Sequence, residues 1–299
     1  MKWCIIDTKL FTQSYFQSCR LICKFTIDNL VKLLRMKMNI VDEFSTPPVF
    51  PIKDSELKIL SDAQIINIPF GNETLNCFQW GEGKTVILAH GWGSRASHMA
   101  FIGKFIAGLG FKVITFDAPA HSSLNSEGLK TKSSMFEFSR AIGTVANYFK
   151  PIYAVIGHSL GSAAAVFAIT GHEPFEDYKF DLEKLVLISC PADLRSLIIN
   201  YCKENNIEDS VSVDLEFGLE ARYNFRVEDF SVVSTLKELN AKKLLIHDSG
   251  DESIPVTDAY EIIKANDDIL FHETSGAGHS KLLMNRSVLA KIKDFLSQN

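Results

Sequence analysis

The stretch YAVIGHSLGSAAAVFAIT, residues 153–170, joins an apolar segment to a run of small residues through a serine that stands between two glycines. A serine hydroxyl is a weak nucleophile unless the backbone holds it exposed beside a base. A sharp strand–turn–helix connection does this, and Gly157 and Gly161 leave room for its crowded backbone. The helix that follows also aims backbone N–H groups at the same place. The stretch therefore predicts Ser159 as a nucleophile, provided that the rest of the chain supplies its partners.

Strand-like and helix-like segments alternate around this stretch. Apolar strands are predicted at 85–90, 112–117, 153–159, 184–190, 242–249 and 268–274, with helices at 96–110, 133–149, 160–170, 256–265 and 286–297. Two earlier strands, 63–70 and 73–81, are separated by Gly-Asn, which is a hairpin signal. Apolar strands that alternate with helices are typical of a parallel sheet covered on both faces. We expect an α/β fold with a mostly parallel sheet of eight strands, and ligands beyond the carboxyl ends of those strands.

A histidine and an aspartate follow the last two predicted strands. His279 lies in SGAGHSKLL, a glycine-bounded loop from which a base can reach a serine on a neighbouring strand. Asp251 lies in HDSGDESIP, where a carboxylate can hold the imidazole in the correct tautomer. Asp248 and Glu252 are close competitors for that role, and Asp193 is a further alternative.

Two more loops follow predicted strands. His90-Gly91-Trp92-Gly93 is a loop of mostly small residues that can present the N–H of Trp92 beside the N–H of Leu160. Two such donors would stabilise the oxyanion of an acyl-transfer intermediate, each by roughly 2.7–4 kcal/mol. The other loop, DAPAH, brings Asp117 and His121 to the same edge, where they line or brace the site.

Taken together, these blocks resemble the α/β-hydrolase superfamily over residues 65–297, in the chain order serine, aspartate, histidine. The resemblance implies that Ser159 is the nucleophile, His279 the base and Asp251 the acid, with Trp92 and Leu160 as oxyanion donors. It implies neither a cofactor nor a metal. One position departs from the family pattern, because Ser122 stands where a glycine usually follows the histidine of the DAPAH loop. A serine nucleophile disfavours dehalogenase and epoxide-hydrolase chemistry, for which the superfamily uses an aspartate.

Residues 191–240 form an insertion between the sixth and seventh predicted strands, where the family carries a lid. Aromatic residues (Tyr201, Phe217, Tyr223, Phe225, Phe230) alternate there with acids (Glu204, Glu208, Asp209, Asp214, Glu216, Glu220). We expect a small helical lid with an aromatic underside and an acidic outer face, which favours an uncharged or apolar acyl substrate. His158, Tyr201, Tyr223 and Phe225 are the candidate substrate contacts. The sequence does not separate this role from a purely structural one, in which the aromatic residues anchor the lid.

The first 44 residues are predicted to form a basic, amphipathic helical arm ahead of a hydrolase domain at 45–299. The helical spacing runs from Phe16 to Leu34. Packing on the outside of the domain is favoured over contact with a membrane surface, and a true start at Met36 or Met38 is a third interpretation. The arm and the FSTPP that follows also resemble a less characterised branch of these hydrolases, which favours an arm that belongs to the protein.

Composition excludes several classes of function. The net charge of −5 over 299 residues argues against a nucleic-acid partner. No run of 18 apolar residues predicts a membrane span. Six cysteines without CxxC spacing favour reduced, buried thiols in a cytoplasmic protein over a metal site at Cys19 and Cys23.

The expected function is a serine hydrolase that cleaves a carboxylic ester through an acyl-enzyme. Thioester hydrolysis or acyl transfer by the same triad is an alternative. Another is a hydrolase fold that serves as a binding protein with an idle triad.

Overall fold

The computed structural model describes residues 40–122, 124 and 131–298. Residues 44–299 form one structural unit and residues 1–43 another, of which only the helical residues 40–43 are described. The predicted helix from Phe16 to Leu34 and the Cys19–Cys23 pair lie outside the described residues, as does the proposed membrane contact of the arm.

Eight strands form a single sheet. They are β1 (Gln64–Phe70), β2 (Glu73–Trp80), β3 (Thr85–Ala89), β4 (Lys112–Phe116), β5 (Ile152–His158), β6 (Lys184–Ile188), β7 (Lys242–Asp248) and β8 (Ile269–Thr274). Their spatial order is β1-β2-β4-β3-β5-β6-β7-β8. The pairs β1–β2 and β2–β4 are antiparallel, and every other neighbouring pair is parallel. The mostly parallel eight-stranded sheet expected from the sequence is confirmed.

Helices connect the strands. They are α1 (Asp54–Leu60), α2 (Ala96–Ala107), α3 (Met135–Phe149), α4 (Leu160–Thr170), α5 (Leu194–Glu204), α6 (Asp209–Tyr223), α7 (Val232–Thr235), α8 (Val256–Ala265), α9 (Gly278–Lys281) and α10 (Arg286–Ser297). Short 3₁₀ turns lie at 176–178, 227–229, 236–238 and 282–284. The helix predicted to run to Gly110 ends at Ala107, because the chain turns there into β4 and Gly110 has a φ of 92°.

The two faces of the sheet bury different residues of the same strands. Leu88 and Ile156 belong to a core that also contains Ile102 of α2 and Ile292 of α10. Alternate residues point to the opposite face, where α3 and α4 contact β3 and α4 also contacts β5. Every residue of β3, β5 and β6 is buried, whereas the edge strands β1 and β8 are partly exposed. Helices on both faces therefore explain why the central strands are apolar throughout.

The loops that the sequence predicts as functional all follow the carboxyl ends of the strands, on one side of the sheet. His90 follows β3, Asp117 follows β4 and Ser159 follows β5. Asp251 and His279 follow β7 and β8. These five strands are mutually parallel, so their carboxyl ends meet where an α/β sheet binds its ligands.

Candidate active site

The turn at Ser159 has an unusual backbone conformation. Its φ of 54° and ψ of −127° lie in a sparsely populated region, which costs on the order of 1–3 kcal/mol for a residue with a side chain. Its N–H donates to the carbonyl of Ile188 over 2.9 Å. A Cβ at Gly157 would lie 2.5 Å from the Cα of Ser162, and one at Gly161 would lie 2.3 Å from the carbonyl oxygen of His90. The close approach of the chain on both sides therefore requires glycine, and the turn presents Ser159 at the sheet edge.

His279 is held by Asp251. Its Nδ1–H donates to Oδ2 of that aspartate over 2.8 Å, while the N–H groups of Ser253 and Ile254 donate to Oδ1 over 3.0 and 2.9 Å. Burial raises the pKa of Asp251, but the hydrogen bond and charge of His279 and the N–H of Ile254 outweigh it, and the pKa falls below 3.8. Because the carboxylate fixes the proton on Nδ1, Nε2 of the neutral ring is the basic nitrogen.

Asp248 holds the loop that carries the histidine. Its Oδ1 accepts from the N–H groups of Gly250 and Gly278, both over 3.0 Å. Its Oδ2 accepts from the hydroxyl of Thr274 over 2.7 Å and from the N–H of Ala277 over 3.0 Å. Burial raises the pKa of Asp248, but these four donors outweigh it and lower the pKa overall. The two aspartates at the end of β7 and in the loop after it therefore have different tasks, since Asp251 orients the imidazole and Asp248 shapes the loop that carries it.

Asp193 and Glu252, the other acids considered as partners of the histidine, have different surroundings. The carboxylate of Asp193 accepts from the N–H of Ser196 over 2.7 Å and caps the first turn of α5. Glu252 is exposed to solvent. Neither of them contacts the imidazole of His279, which is paired with Asp251.

His158 supports the backbone of His279. Its Nε2–H donates to the carbonyl oxygen of His279 over 3.0 Å, and the two ring centroids are 4.7 Å apart. Burial and the neighbouring His279 lower the pKa of His158 to about 3, so the ring is neutral. It is the last residue of a fully buried strand and does not line the cavity described below. His158, predicted as a substrate contact, therefore contacts His279 and is not among the residues that line this cavity.

The two predicted oxyanion donors face the same space as Ser159. Trp92 and Leu160 both line the cavity that Ser159 and His279 line. Neither N–H donates a hydrogen bond to a residue that the structure describes. Both donors are thus free to bind a ligand oxygen.

His121 braces the loop that carries Trp92. Its Nδ1–H donates to the carbonyl of Pro119 over 2.8 Å, and its Nε2 accepts the N–H of Gly93 over 3.0 Å. Burial lowers the pKa of His121 to about 4, which keeps the ring neutral and able to accept. Asp117 instead accepts the N–H of Ala96 over 2.9 Å, at the start of α2. Both residues of the DAPAH loop therefore brace the site.

The loop beyond His121 begins with the serine that departs from the family pattern. The carbonyl of Ser122 accepts from the guanidinium of Arg95 over 3.3 Å, and the same guanidinium donates to the carbonyl of Phe50 over 2.8 Å. Arg95 therefore ties this loop to the segment ahead of α1.

A cavity of about 290 Å³ opens at Ser159, near the lower end of the size range of small-molecule sites. Apolar side chains from α3, from the insertion at 191–240 (the lid) and from the loop after β7 line part of its wall: Phe136, Leu194, Leu197, Leu219, Phe225 and Ile254. The predicted contacts Tyr201, Tyr223 and Phe225 are among the lining residues. Glu204, which is exposed, is the one carboxylate among the described residues of the wall.

Phe136 is the centre of an aromatic cluster that the sequence did not reveal. Its ring centroid lies 5.0 Å from that of Tyr223, 4.6 Å from that of Phe225 and 5.0 Å from that of Phe230. Phe230 is fully buried beneath the cavity, against Phe167 of α4. Tyr223 and Phe225 of the lid therefore line the cavity and also pack against Phe136.

Phe217 does not belong to the aromatic underside, and that expectation is wrong. It is 61% exposed, whereas Leu215 and Leu219 of the same helix are buried. At about 100° per residue, Phe217 lies about 200° around the helix from Leu215. Not every acid of the lid simply faces solvent. Glu216 forms a bidentate ion pair with Arg195, at 3.0 and 3.1 Å. That pair joins α6 to α5.

The described residues carry few other chemical features. They contain no cluster of three or more histidine, cysteine or acidic residues that could hold a metal ion. Cys77, Cys190 and Cys202 are buried and form no disulfide. Within this part of the chain, no helix has both the length and the hydropathy that a membrane span requires.

The order of the strands, the turn at Ser159 and the loops at the sheet edge define an α/β-hydrolase-fold protein. The model of the Alpha/beta hydrolase family matches residues 86–223, which is the part that contains the turn and the oxyanion loop. This part of the chain is therefore similar to the α/β-hydrolase family.

Solved structures share this fold at low sequence identity. An esterase of Pyrococcus furiosus is 17% identical, with a TM-score of 0.62 over 84% of this chain and 96% of that one. A putative lipase of Acinetobacter baumannii is 19% identical, with a TM-score of 0.58 over 83% and 97% of the two chains. A thioesterase domain from the curacin biosynthetic pathway is 15% identical, with a TM-score of 0.55 over 79% and 99%. A search of curated proteins finds no significant match to this chain.

Proposed function

We propose that the protein is a serine hydrolase that cleaves a small, uncharged carboxylic ester through an acyl-enzyme. The observation that carries this proposal is the shared position of three features. The strained Ser159, the Asp251-bound His279 and two unpaired backbone donors all line one apolar cavity. A binding protein would need none of these features together, so the arrangement argues against an idle triad.

The proposed reaction gives each of these groups one role. Ser159 Oγ attacks the ester carbonyl carbon while its proton passes to Nε2 of His279. The N–H groups of Trp92 and Leu160 stabilise the oxyanion that forms, and Asp251 stabilises the imidazolium. The C–O bond to the alcohol then breaks, and the alcohol leaves with the proton from His279. Water, activated by the same histidine, attacks the acyl-enzyme and releases the acid.

The cavity favours an uncharged acyl group. Its wall is mostly apolar, it holds one exposed carboxylate at Glu204, and neither lysine nor arginine is among its described lining residues. A polyanionic substrate would therefore lose its hydration without gaining a cation. Thioester hydrolysis by the same triad is the second candidate, because an esterase and a thioesterase domain are both among the structural neighbours.

A substrate panel on the full chain tests the proposal. We expect turnover of short p-nitrophenyl acyl esters and none of acyl phosphates, with Ser159→Ala lowering kcat on the order of 10⁶-fold. Ser253→Ala removes a different serine from the same cavity wall and keeps Ser159-dependent hydrolysis. The ratio of kcat/KM for matched esters and thioesters decides between the two candidates. Hydrolysis that survives in Ser159→Ala, or a preference for acyl phosphates, would contradict the proposal.

A further inference from the structure

Three polar side chains on the cavity wall are buried and unpaired. Ser45 is 3% exposed, Ser133 is 1% exposed and Asn200 is 9% exposed. All three line the cavity that opens at Ser159. The hydroxyl oxygens of the two serines and the amide Nδ2 of Asn200 have no hydrogen-bond partner among the described residues.

A buried polar group without a hydrogen-bond partner lowers the stability of a folded protein. Buried polar side-chain atoms are hydrogen-bonded in the large majority of cases, and an unsatisfied one costs about 1–3 kcal/mol. The neighbouring serine shows the usual outcome, since Ser134 lines the same cavity and its Oγ accepts the N–H of Glu137 over 3.3 Å as the cap of α3. The burial of the unpaired groups therefore points to a ligand that pairs them.

The three side chains come from neighbouring segments of the wall. The N–H of Ser133 donates to the carbonyl of Ser45 over 2.8 Å. The ring of Phe44 meets the ring of Tyr201 edge to face at 5.0 Å, next to Asn200 on α5. Residues from three distant parts of the sequence thus converge at one place, which we name the polar subsite (Ser45, Ser133 and Asn200).

The chemistry of the polar subsite limits what it can bind. Two hydroxyls and one amide all donate hydrogen bonds, so their common partner is an acceptor oxygen. The described lining residues include no lysine or arginine that would neutralise an anion, and the one carboxylate, Glu204, repels it. A neutral carbonyl or hydroxyl oxygen satisfies the donors without a buried charge.

We propose that the polar subsite binds a neutral carbonyl or hydroxyl oxygen of the substrate, at a distance from the ester that Ser159 attacks. This inference rests on the proposed function, because it describes the acyl group of the same substrate. The hydrolase then selects oxygen-bearing acyl chains over plain alkyl chains of the same length. The discrimination arises because an alkyl chain leaves three buried donors unpaired in the complex.

Matched esters measure this selectivity. The first series has plain straight-chain p-nitrophenyl esters, and the second has the same chains with one methylene replaced by a carbonyl that moves along the chain. We expect at least one keto ester to exceed its alkyl partner in kcat/KM by about tenfold or more. Asn200→Leu and Ser133→Ala should lower this ratio towards one. Ser134→Ala, which alters a paired serine in the same cavity, should leave the ratio unchanged.

Binding to Ser159→Ala separates this inference from the proposed function. Calorimetry with the best keto ester and its alkyl partner gives their affinity ratio without any hydrolysis. If hydrolysis proves independent of Ser159 while the keto ester still binds more tightly, the proposed function fails and the subsite stands. If Ser159-dependent hydrolysis proceeds but neither rates nor affinities favour any keto ester, ordered water satisfies these groups and the subsite proposal is overturned.

Discussion

The two ends of the cavity differ in how their polar groups are paired. At the end that holds the proposed triad, which we call the catalytic end, Asp248 accepts four hydrogen bonds, and Asp251 accepts three. At the polar subsite, Ser45, Ser133 and Asn200 leave a donor group without a partner among the described residues. One end is therefore organised before a substrate arrives, and the other is completed by the substrate.

This difference separates what stabilises the fold from what selects a ligand. Paired groups hold reacting atoms in position at no further cost during the reaction. Unpaired buried groups lower the stability of the free protein and are retained where a ligand uses them. Substitutions at the catalytic end should therefore lower activity or stability, whereas substitutions at the polar subsite should lower selectivity and spare stability.

The largest expected effect is that of Asp251→Asn. An amide at this position does not hold the imidazole in the tautomer that leaves Nε2 basic, and the equivalent change in other triads lowers kcat about 10⁴-fold. Ester turnover and circular dichroism together measure the loss in a folded protein. The matched control is Glu252→Gln, which alters the exposed acid next in the chain. Equal activities of the two variants would show that Asp251 does not orient the base.

A pH titration of stability tests the neutral histidines of the catalytic end. The pKa of His121 is lowered to about 4 and that of His158 to about 3 from 6.5, and burial also lowers the pKa of His90. Below pH 6.5 these histidines bind protons in the unfolded chain but stay neutral in the folded protein. The free energy of unfolding therefore falls by about 1.4 kcal/mol per pH unit for each ring. Their contribution is therefore fully present above pH 6.5 and is lost as the pH falls towards 4.

Asp258 opposes this trend. Burial raises its pKa from 3.8 to about 6, so its protonation favours the folded state as the pH falls below 6. The three histidines lower the free energy of unfolding as the pH falls and Asp258 alone raises it. The net loss between pH 6 and 5 is therefore at least about 1.4 kcal/mol per pH unit. Urea unfolding at several pH values measures the slope, and His121→Asn should reduce it. A stability that is constant or rises over this interval would mean that the rings are not held neutral.

Asp248→Asn should have a smaller effect. Each carboxylate oxygen of Asp248 accepts two hydrogen bonds. In either orientation of an asparagine, the NH₂ group therefore replaces one acceptor oxygen and faces two donors. We expect a loss of about 1–3 kcal/mol in the free energy of unfolding, together with lower ester turnover. Ser249→Ala is the control, because it removes only one hydrogen bond of 3.2 Å to the carbonyl of Thr274. A loss no greater than that of the control would mean that Asp248 does not hold the loop.

The smallest expected effects are those of Ser133→Ala and Ser134→Ala on the free energy of unfolding. Ser134→Ala removes the cap of α3 and should cost about 1 kcal/mol in the free energy of unfolding. Ser133→Ala removes a buried hydroxyl that has no partner, so stability should stay the same or rise by up to about 1 kcal/mol. Thermal or urea unfolding of the two variants side by side measures the difference. If Ser133→Ala is the more destabilising, its hydroxyl is paired in the free protein.

The sequence predicted the elements at the sheet edge because their signals are local. Each strand is a short apolar run, and Gly157 is required by contacts within its own turn, whereas Gly161 is required by the approach of His90 after β3. Spacing alone did not separate Asp251 from Asp248, because Asp248 ends β7 and Asp251 lies three residues further on. Only the hydrogen bonds distinguish them, since His279 donates to Asp251 while its loop donates to Asp248.

The cavity beyond the turn was much less predictable. Its polar subsite combines residues 45, 133 and 200, which no local pattern connects. Phe136 had no distinctive signal either, since it lies in the first turn of an ordinary amphipathic helix. The error at Phe217 has a simpler cause, because composition does not give the phase of a helix. The buried positions Leu215 and Leu219 set that phase in α6.

The most direct test of the account is covalent labelling of the full chain with a fluorophosphonate, followed by peptide mapping in a mass spectrometer. The account predicts a single adduct, on Ser159, that disappears in Ser159→Ala and persists in Asn200→Leu. The first result would show that Ser159 is a reactive nucleophile, and the second would show that its reactivity does not depend on the polar subsite. An unlabelled wild-type protein, or an adduct on another residue, would contradict the central claim that this turn presents an active nucleophile.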